Sequence, residues 1–180
     1  GQDPLAFRLA HLGEDERYKS VLELVAEKAG WNTRQQDGKT KGIAVHKSFG
    51  SYVAQVADLT VGNSGEYTVD KVVCAVDCGI AINPDVIRAQ MEGGIAYGLS
   101  PSLISEITIR DGAVVESNFD RYHVVRMRDM PEVEVHIVPS AAPPTGVGEP
   151  GTPVIAPAVA NALFAATGKL HTKQPIGRKV

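Results

Sequence analysis

Three short stretches of this 180-residue chain combine residue types that could do chemistry. In Gly146-Val-Gly-Glu149-Pro-Gly-Thr-Pro153 one carboxylate sits among residues that permit unusual backbone geometry, directly before a helix start. The dipole of that helix favours the ionised carboxylate, and an ionised carboxylate held by a rigid turn is what a general base requires. The competing reading is an acid that only complements the dipole, as surface acids near helix starts often do. In Gln90-Met-Glu92-Gly93-Gly94, the amide can donate and accept hydrogen bonds together, which suits the edge of a polar heterocycle. Gly93 and Gly94 would let a bulky planar or phosphate-bearing ligand approach the backbone. The alternative there is a close helix–strand contact with Gln90 facing solvent. The third stretch is Ser48-Phe-Gly-Ser-Tyr52, where Ser48, Gly50 and Ser51 are candidates for cofactor contacts and an ordinary loop is the alternative. Gly148, beside the candidate base, joins the same set of contacts.

Other chemistries find less support. His46, His123, His136 and His171 do not form a ligand spacing, and His11 lies on the first helix, so no metal held by protein side chains is expected. Ser48 and Ser51 lack an adjacent His/Asp arrangement, which argues against a serine hydrolase. A hydrolase built on Glu149 would need a second acid or nucleophile, and Glu92 is the only candidate. Cys74 and Cys78 are the two cysteines. On one face of a strand they stand about 13 Å apart, too far for a disulfide, and two are too few for a four-ligand zinc site. They read as buried structural thiols.

Several elements must position these stretches. Asp3-Pro4 opens a short helix with a cap-then-proline order. A second helix from about Asp15 to Ala29 aligns Tyr18, Val21, Leu22 and Val25 and stops at Gly30. Asn32 to Lys41 reads as a surface loop. The period then changes to two, predicting strands at Ile43–Val45 and Tyr52–Val61, a turn at Gly62–Gly65, and a return strand from Glu66 to Cys78. Val72 to Val76 is apolar on both faces, so this strand is expected to be central. Asn83-Pro84 opens a helix to about Leu99 whose interior carries Gly93, Gly94 and Gly98. Each costs about 1 kcal/mol against Ala, so something must approach this helix closely. Leu103–Arg110 and Ala113–Ser117 flank the hairpin signal Asp111-Gly112, and a further strand runs from about Glu132 to Val138. Thr152 and Pro153 are a third cap-then-proline pair, opening a helix to about Thr167 with Gly168 as its stop.

The length supports one domain, or two small packed subdomains, with a real core. At 43% hydrophobic and 22% charged, the chain is neither a disordered tail nor a coiled coil. A formal net charge of −3 without long basic runs argues against nucleic acid as a partner. No apolar stretch approaches the ~20 residues of a membrane helix, so no membrane insertion is expected. The opening Gly1-Gln2-Asp3-Pro4, without an initiating Met, reads as a processed or excised piece. Hairpins mixed with helices point to an α+β fold.

Together the motifs carry a resemblance. Val76-Asp-Cys-Gly-Ile-Ala-Ile-Asn83-Pro, then Gln90-x-Glu-Gly-Gly94-x3-Gly98-Leu, then Gly146-x-Gly-Glu149, in this order, resemble the C-terminal portion of the molybdenum-binding large subunit of the xanthine oxidase family. Ser48-Phe-Gly-Ser-Tyr-Val-Ala-Gln55-Val-Ala57, Asn118-Phe-x-x-Tyr122, Pro131-x-Val-Glu-Val-His136 and Pro157-Ala-Val-Ala-Asn-Ala-Leu163 look like the branch that includes the isoquinoline 1-oxidoreductase beta subunit and aldehyde oxidase molybdopterin-binding subunits. The resemblance spans Asp3 to Ile176.

It implies an α+β fold with a mixed sheet, hairpins and packed helices, like a molybdenum cofactor-binding domain. Residues 1–180 would be a C-terminal fragment of that domain. The resemblance makes Glu149 the catalytic base and Gln90 a contact to the pterin near molybdenum. The reaction implied is hydroxylation of an electron-poor carbon, with water as the oxygen source. The cofactor would be molybdopterin, in the cytosine dinucleotide form of the bacterial branch. Electrons would leave through [2Fe-2S] clusters on a small partner subunit, since two cysteines cannot ligate them. The other partners implied are the remainder of the large subunit and a small-molecule substrate, either an N-heteroaromatic ring or an aldehyde, the ring ahead. Large subunits of the family are several times longer, so the chain by itself is expected to be inactive. A non-catalytic truncated paralogue or assembly module is the alternative. A cytoplasmic location is expected, with the periplasm second.

Overall fold

The computed structural model describes residues 1–177 and 179. Helices begin where a side chain can satisfy the free amides of a first turn. Asp3 accepts from the Ala6 N–H at 2.8 Å and opens α1 (Pro4–His11). Asp15 accepts from the Tyr18 N–H at 3.3 Å and opens α2 (Glu16–Lys28). Asn83 accepts from the Val86 N–H at 3.1 Å and opens α3 (Pro84–Leu103). The fourth helix, α4 (Thr152–Thr167), departs from expectation: Gly151 is its cap and Thr152 its first residue. A Cβ at Gly151 would lie 3.2 Å from the Met91 carbonyl oxygen, so the backbone runs too near α3 for a capping side chain. The Thr152 N–H is served instead by the Glu149 carbonyl at 2.9 Å. Gly30 (φ 58°) and Gly168 (φ 71°) take the left-handed conformation that ends α2 and α4.

The main sheet is mixed. Strands β1 (Lys39–Ser48), β2 (Ser51–Val61) and β3 (Tyr67–Asp77) run antiparallel. A separate two-stranded hairpin, β4 (Ile109–Arg110) and β5 (Ala113–Val114), closes on Asp111 and Gly112, both with positive φ. Strand β6 (Glu132–Ile137) then joins the main sheet parallel to β3, giving the order β1-β2-β3-β6. The α+β expectation and the central place of β3 both hold. Several boundaries move. Strand β1 begins at Lys39 rather than Ile43, because α4 covers it: the Thr40 hydroxyl donates to the Ala162 carbonyl at 3.0 Å and the Asn161 amide to that of Ile43 at 2.9 Å. Of residues 103–110, only Ile109 and Arg110 are strand. Helix α3 continues past Pro101 to Leu103, since Leu99 and Leu103 are both buried while Pro101 faces solvent.

Each face of the sheet builds a core. On one face Val21, Leu22 and Val25 of α2 pack on Ile43, Ala54, Val56, Val73 and Ala75. On the other, Met91, Ile95 and Leu99 of α3 and Ile155, Val159 and Leu163 of α4 pack on Val53, Val72, Cys74 and Val76. Cys74 and Cys78 share this second core and are unpaired. Burial pushes the Cys74 thiol up to about 12, which makes it a packing group rather than a nucleophile. The glycines of α3 divide by face. A Cβ at Gly98 would lie 2.5 Å from the Thr152 carbonyl oxygen, and one at Gly94 3.2 Å from the Thr152 nitrogen, so α4 is what approaches. Gly93 meets nothing within 4 Å.

A charged pair ties α2 to the sheet. Arg17 Nε and Nη2 bond the two oxygens of Asp77 at 2.7 and 2.8 Å, and the Asp77 carboxylate also accepts the Gly79 N–H at 2.9 Å. Burial would raise the Asp77 carboxyl, but bonds from Arg17 and Gly79 outweigh it and hold the group below its ordinary value near 3.8. A depressed carboxylate contributes stability above its unfolded pKa and loses it as pH falls through the folded value. Arg17→Ala should therefore cost about 3 kcal/mol near neutral pH by stranding a buried charge, and the difference from the unaltered protein should shrink below pH 4. Urea unfolding at several pH values reads this. The glycines give a second expectation. Gly98→Ala should destabilise by about 1–3 kcal/mol through overpacking, whereas Gly93→Ala should stabilise by up to about 1 kcal/mol on helix propensity. Thermal unfolding of the two variants should move in opposite directions.

Candidate functional site

Three segments distant in sequence meet at one cavity of about 640 Å³. The β1–β2 turn supplies Ser48 and Phe49, and one face of α3 supplies Gln90, Gly93, Gly94 and Tyr97. The turn leading into α4 supplies Gly148, Glu149, Thr152 and Pro153. The α3 residues follow helical spacing, so they project from one side of the helix over successive turns. The β1–β2 turn is tight because Phe49 (φ 53°) and Gly50 (φ 78°) are both left-handed, the geometry of a two-residue hairpin.

The segment that carries Glu149 is fastened along its length. The Thr145 N–H donates to the Cys78 carbonyl at 2.9 Å, and the Gly146 N–H to that of Phe49 at 3.1 Å. The Ser51 hydroxyl donates to the Gly146 carbonyl at 2.6 Å and shares a hydrogen bond with the Thr145 hydroxyl at 2.7 Å. At the far end the Gln55 amide donates to the Gly151 carbonyl at 2.8 Å. The Glu149 side chain is exposed at the cavity, and no hydrogen bond or ion pair holds it among the described residues. The backbone is fixed while the carboxylate is left free, an arrangement suited to taking a proton from a bound molecule.

Of the residues singled out from sequence, Ser48, Gln90, Gly93, Gly94, Gly148 and Glu149 line the cavity together. Gly50 and Ser51 lie behind it. A Cβ at Gly50 would stand 2.9 Å from Thr145 Cγ2, and Ser51 is fully buried, so both press on the segment that carries Glu149. Glu92 does not line the cavity. Four lining residues were not foreseen: Phe49, Tyr97, Thr152 and Pro153. The signal for Tyr97 was available, since it lies seven residues beyond Gln90 on the same helical face. Phe49 gave none, because a phenylalanine seldom takes positive φ.

The lining fits a polar heterocycle carried close to backbone. Ser48 Oγ is buried without a partner among the described residues, an acceptor and donor left for a ligand. The Gln90 amide points no bond at a described residue, and open space lies over Gly93 and Gly148. No group of three or more His, Cys, Asp or Glu that could hold a metal occurs among the described residues. No helix among them is long and apolar enough to cross a membrane.

The chain is 37% identical over 171 residues to isoquinoline 1-oxidoreductase subunit beta of Brevundimonas diminuta, covering 93% of this chain and 22% of that protein. It is 32% identical over 195 residues to the membrane-bound aldehyde dehydrogenase [pyrroloquinoline-quinone] of Gluconacetobacter polyoxogenes, covering 97% and 25%. The chain thus spans about a quarter or less of the length of these relatives. The crystal structure of quinoline 2-oxidoreductase from Pseudomonas putida 86 shares the fold, with a TM-score of 0.64 at 22% identity over 71% of this chain and 18% of that one. The model of the molybdopterin cofactor-binding domain matches residues 7–131, a range that holds Ser48, Gln90, Gly93 and Gly94 and stops before Glu149. On that match, the chain belongs to the molybdopterin cofactor-binding domain family.

Proposed function

We propose that this chain forms part of a molybdopterin-dependent oxidoreductase that hydroxylates an N-heteroaromatic ring or an aldehyde carbon, with Glu149 as general base. The observation that carries the reading is the meeting of Gln90, Gly93, Gly94 and Ser48 with Glu149 around one cavity. Gln90 and Ser48 would hold the pterin by hydrogen bonds, and the bare backbone at Gly93 and Gly148 would let it lie close. The bound cofactor, in its cytosine dinucleotide form, supplies oxygen transfer with water as the source and takes up the electrons released.

This chain's residues manage the proton and the orientation. Glu149 takes up the proton that water gives up as its oxygen enters the substrate. Gly146 and Gly151 leave room for Phe49 and Met91 beside the turn, and Glu149 lines the same cavity as Gln90 of α3. Phe49 and Tyr97 are 64% and 75% exposed at the cavity, two large aromatic faces free to stack on a planar ring. They favour the heteroaromatic substrate over a small aldehyde. The remainder of a longer subunit would complete the pocket, and a small subunit with [2Fe-2S] clusters would drain the electrons. A cytoplasmic setting goes with this reading, the periplasm being second.

The test uses the full-length subunit purified with its iron-sulfur partner. Molybdenum and pterin should be present there and absent from the 180-residue chain alone. Glu149→Gln should lower turnover by about 10²–10⁴-fold while molybdenum content stays the same. Unchanged turnover in that variant would remove Glu149 from the mechanism. A quinone without molybdenum in the full-length protein would overturn the cofactor assignment. Gly93→Ala should lower molybdenum occupancy although it stabilises the helix, because its methyl group occupies the open face of the cavity.

A further inference from the structure

Gln55 is the largest polar side chain that is fully buried among the described residues. It lies on β2, paired across the sheet with Ala44 and Cys74, on the face covered by α3 and α4. Its Nε2 donates to the Gly151 carbonyl at 2.8 Å, and its Oε1 is buried with no partner among the described residues. An orphaned carbonyl oxygen in an apolar layer is a standing desolvation cost. Leucine has nearly the same size and would incur none, so packing alone gives no reason for an amide between Val53 and Ala57.

The second half of the Glu149 turn supplies the reason. Ser51 and Gln55 are four residues apart on β2, hence about 13 Å apart along one face of the strand. Ser51 donates to the carbonyl of Gly146 and Gln55 to that of Gly151. The two bonds grip the turn on either side of Glu149, and the rigid strand sets the distance between the grips. Between them the Glu149 carbonyl closes on the Thr152 N–H at 2.9 Å. Met91, packed within 3.3 Å of the Cβ position at Gly151, blocks movement toward α3.

We propose that Gln55 is a positioning residue for Glu149, holding the far end of its turn to the sheet at the cost of an unpaired oxygen in the core. The proposal rests on the reading of Glu149 as general base, and it separates Gln55 from the residues that touch a ligand. Gln55 acts only through the turn.

The test is hydrogen exchange on the full-length protein, read separately over residues 146–152 and over β1 to β3, together with steady-state kinetics. In Gln55→Leu, protection over 146–152 should fall by about tenfold or more while the strands keep theirs, and kcat should fall at nearly constant KM. Gln55→Glu supplies a conservative rescue. Its buried carboxyl, while protonated, can donate to the Gly151 carbonyl, and it cannot once ionised. Protection of the turn should therefore be near that of the unaltered protein at low pH and be lost as pH rises through the raised pKa of the new group. If Gln55→Leu does not fold, this pH comparison decides alone. Unchanged protection of the turn in Gln55→Leu, a parallel loss over the strands, or a pH-independent Gln55→Glu would each overturn the proposal. Turnover that survives Glu149→Gln is a different failure: it overturns the base, whereas the exchange data still judge the grip.

Discussion

Backbone-to-backbone contact at the start of α4 is the constraint on which the rest of the structure depends. Three glycines make it possible. Gly94 and Gly98 remove side chains from α3 where Thr152 passes, and Gly151 removes one where Met91 passes. With ordinary side chains at these positions the helices would stand 8–10 Å apart, as helices with side chains between them do. The turn before α4 would then leave α3, and Glu149 would no longer share a cavity with Gln90. Gly42 repeats the device on the other side of α4, where a Cβ would stand 2.2 Å from the Ala158 carbonyl oxygen and the Ala162 nitrogen. Helix α4 is thus wedged between α3 and β1, and its first turn inherits the rigidity of both.

The charges follow a complementary logic. Carboxylates at the edges of the core are paired: Asp77 with Arg17, and Asp58 with Lys41 at 2.7 Å. Glu149 is different, with no hydrogen bond or ion pair to its side chain among the described residues. A carboxylate committed to an internal cation has little reason to accept a proton near neutral pH. Arg17 holds α2 to the sheet and Lys41 joins β1 to β2, and no cation among the described residues pairs with the candidate base. The polar groups around the cavity are neutral ones, a serine hydroxyl and a glutamine amide, which recognise shape and hydrogen-bond pattern rather than charge.

The local grammar of the chain was legible to within a few residues. Asp3, Asp15 and Asn83 announce their helices because a capping oxygen before a helical period has few other uses, and Gly30 and Gly168 stop theirs because only glycine takes a left-handed end without strain. Where the reading slipped, a tertiary contact had outweighed a local signal. Thr152 looked like a cap, but α3 takes the space a cap would need. The helix opened at Asn83-Pro84 was expected to end near Leu99, but Leu103 buries itself on the core and carries α3 past Pro101. Strand β1 gained its first four residues from α4, which no reading of residues 39–42 could foresee.

The same division applies to the site. Sequence by itself determined which residues were chemically able: a carboxylate in a glycine-rich turn, an amide on a helix with bare backbone, and a serine at a hairpin end. It also showed that something must press on α3, because glycine inside a helix is otherwise a loss. Tertiary structure decided which of these residues meet, that Phe49 and Tyr97 flank them, and that Gly50, Ser51 and Gln55 serve the turn from behind. The reason is range. Caps, turns and periodicity are set by neighbours a few residues away and are written in composition and spacing, whereas the cavity joins residues 48, 90 and 149, whose separation closes only when α4 docks on α3 and the sheet.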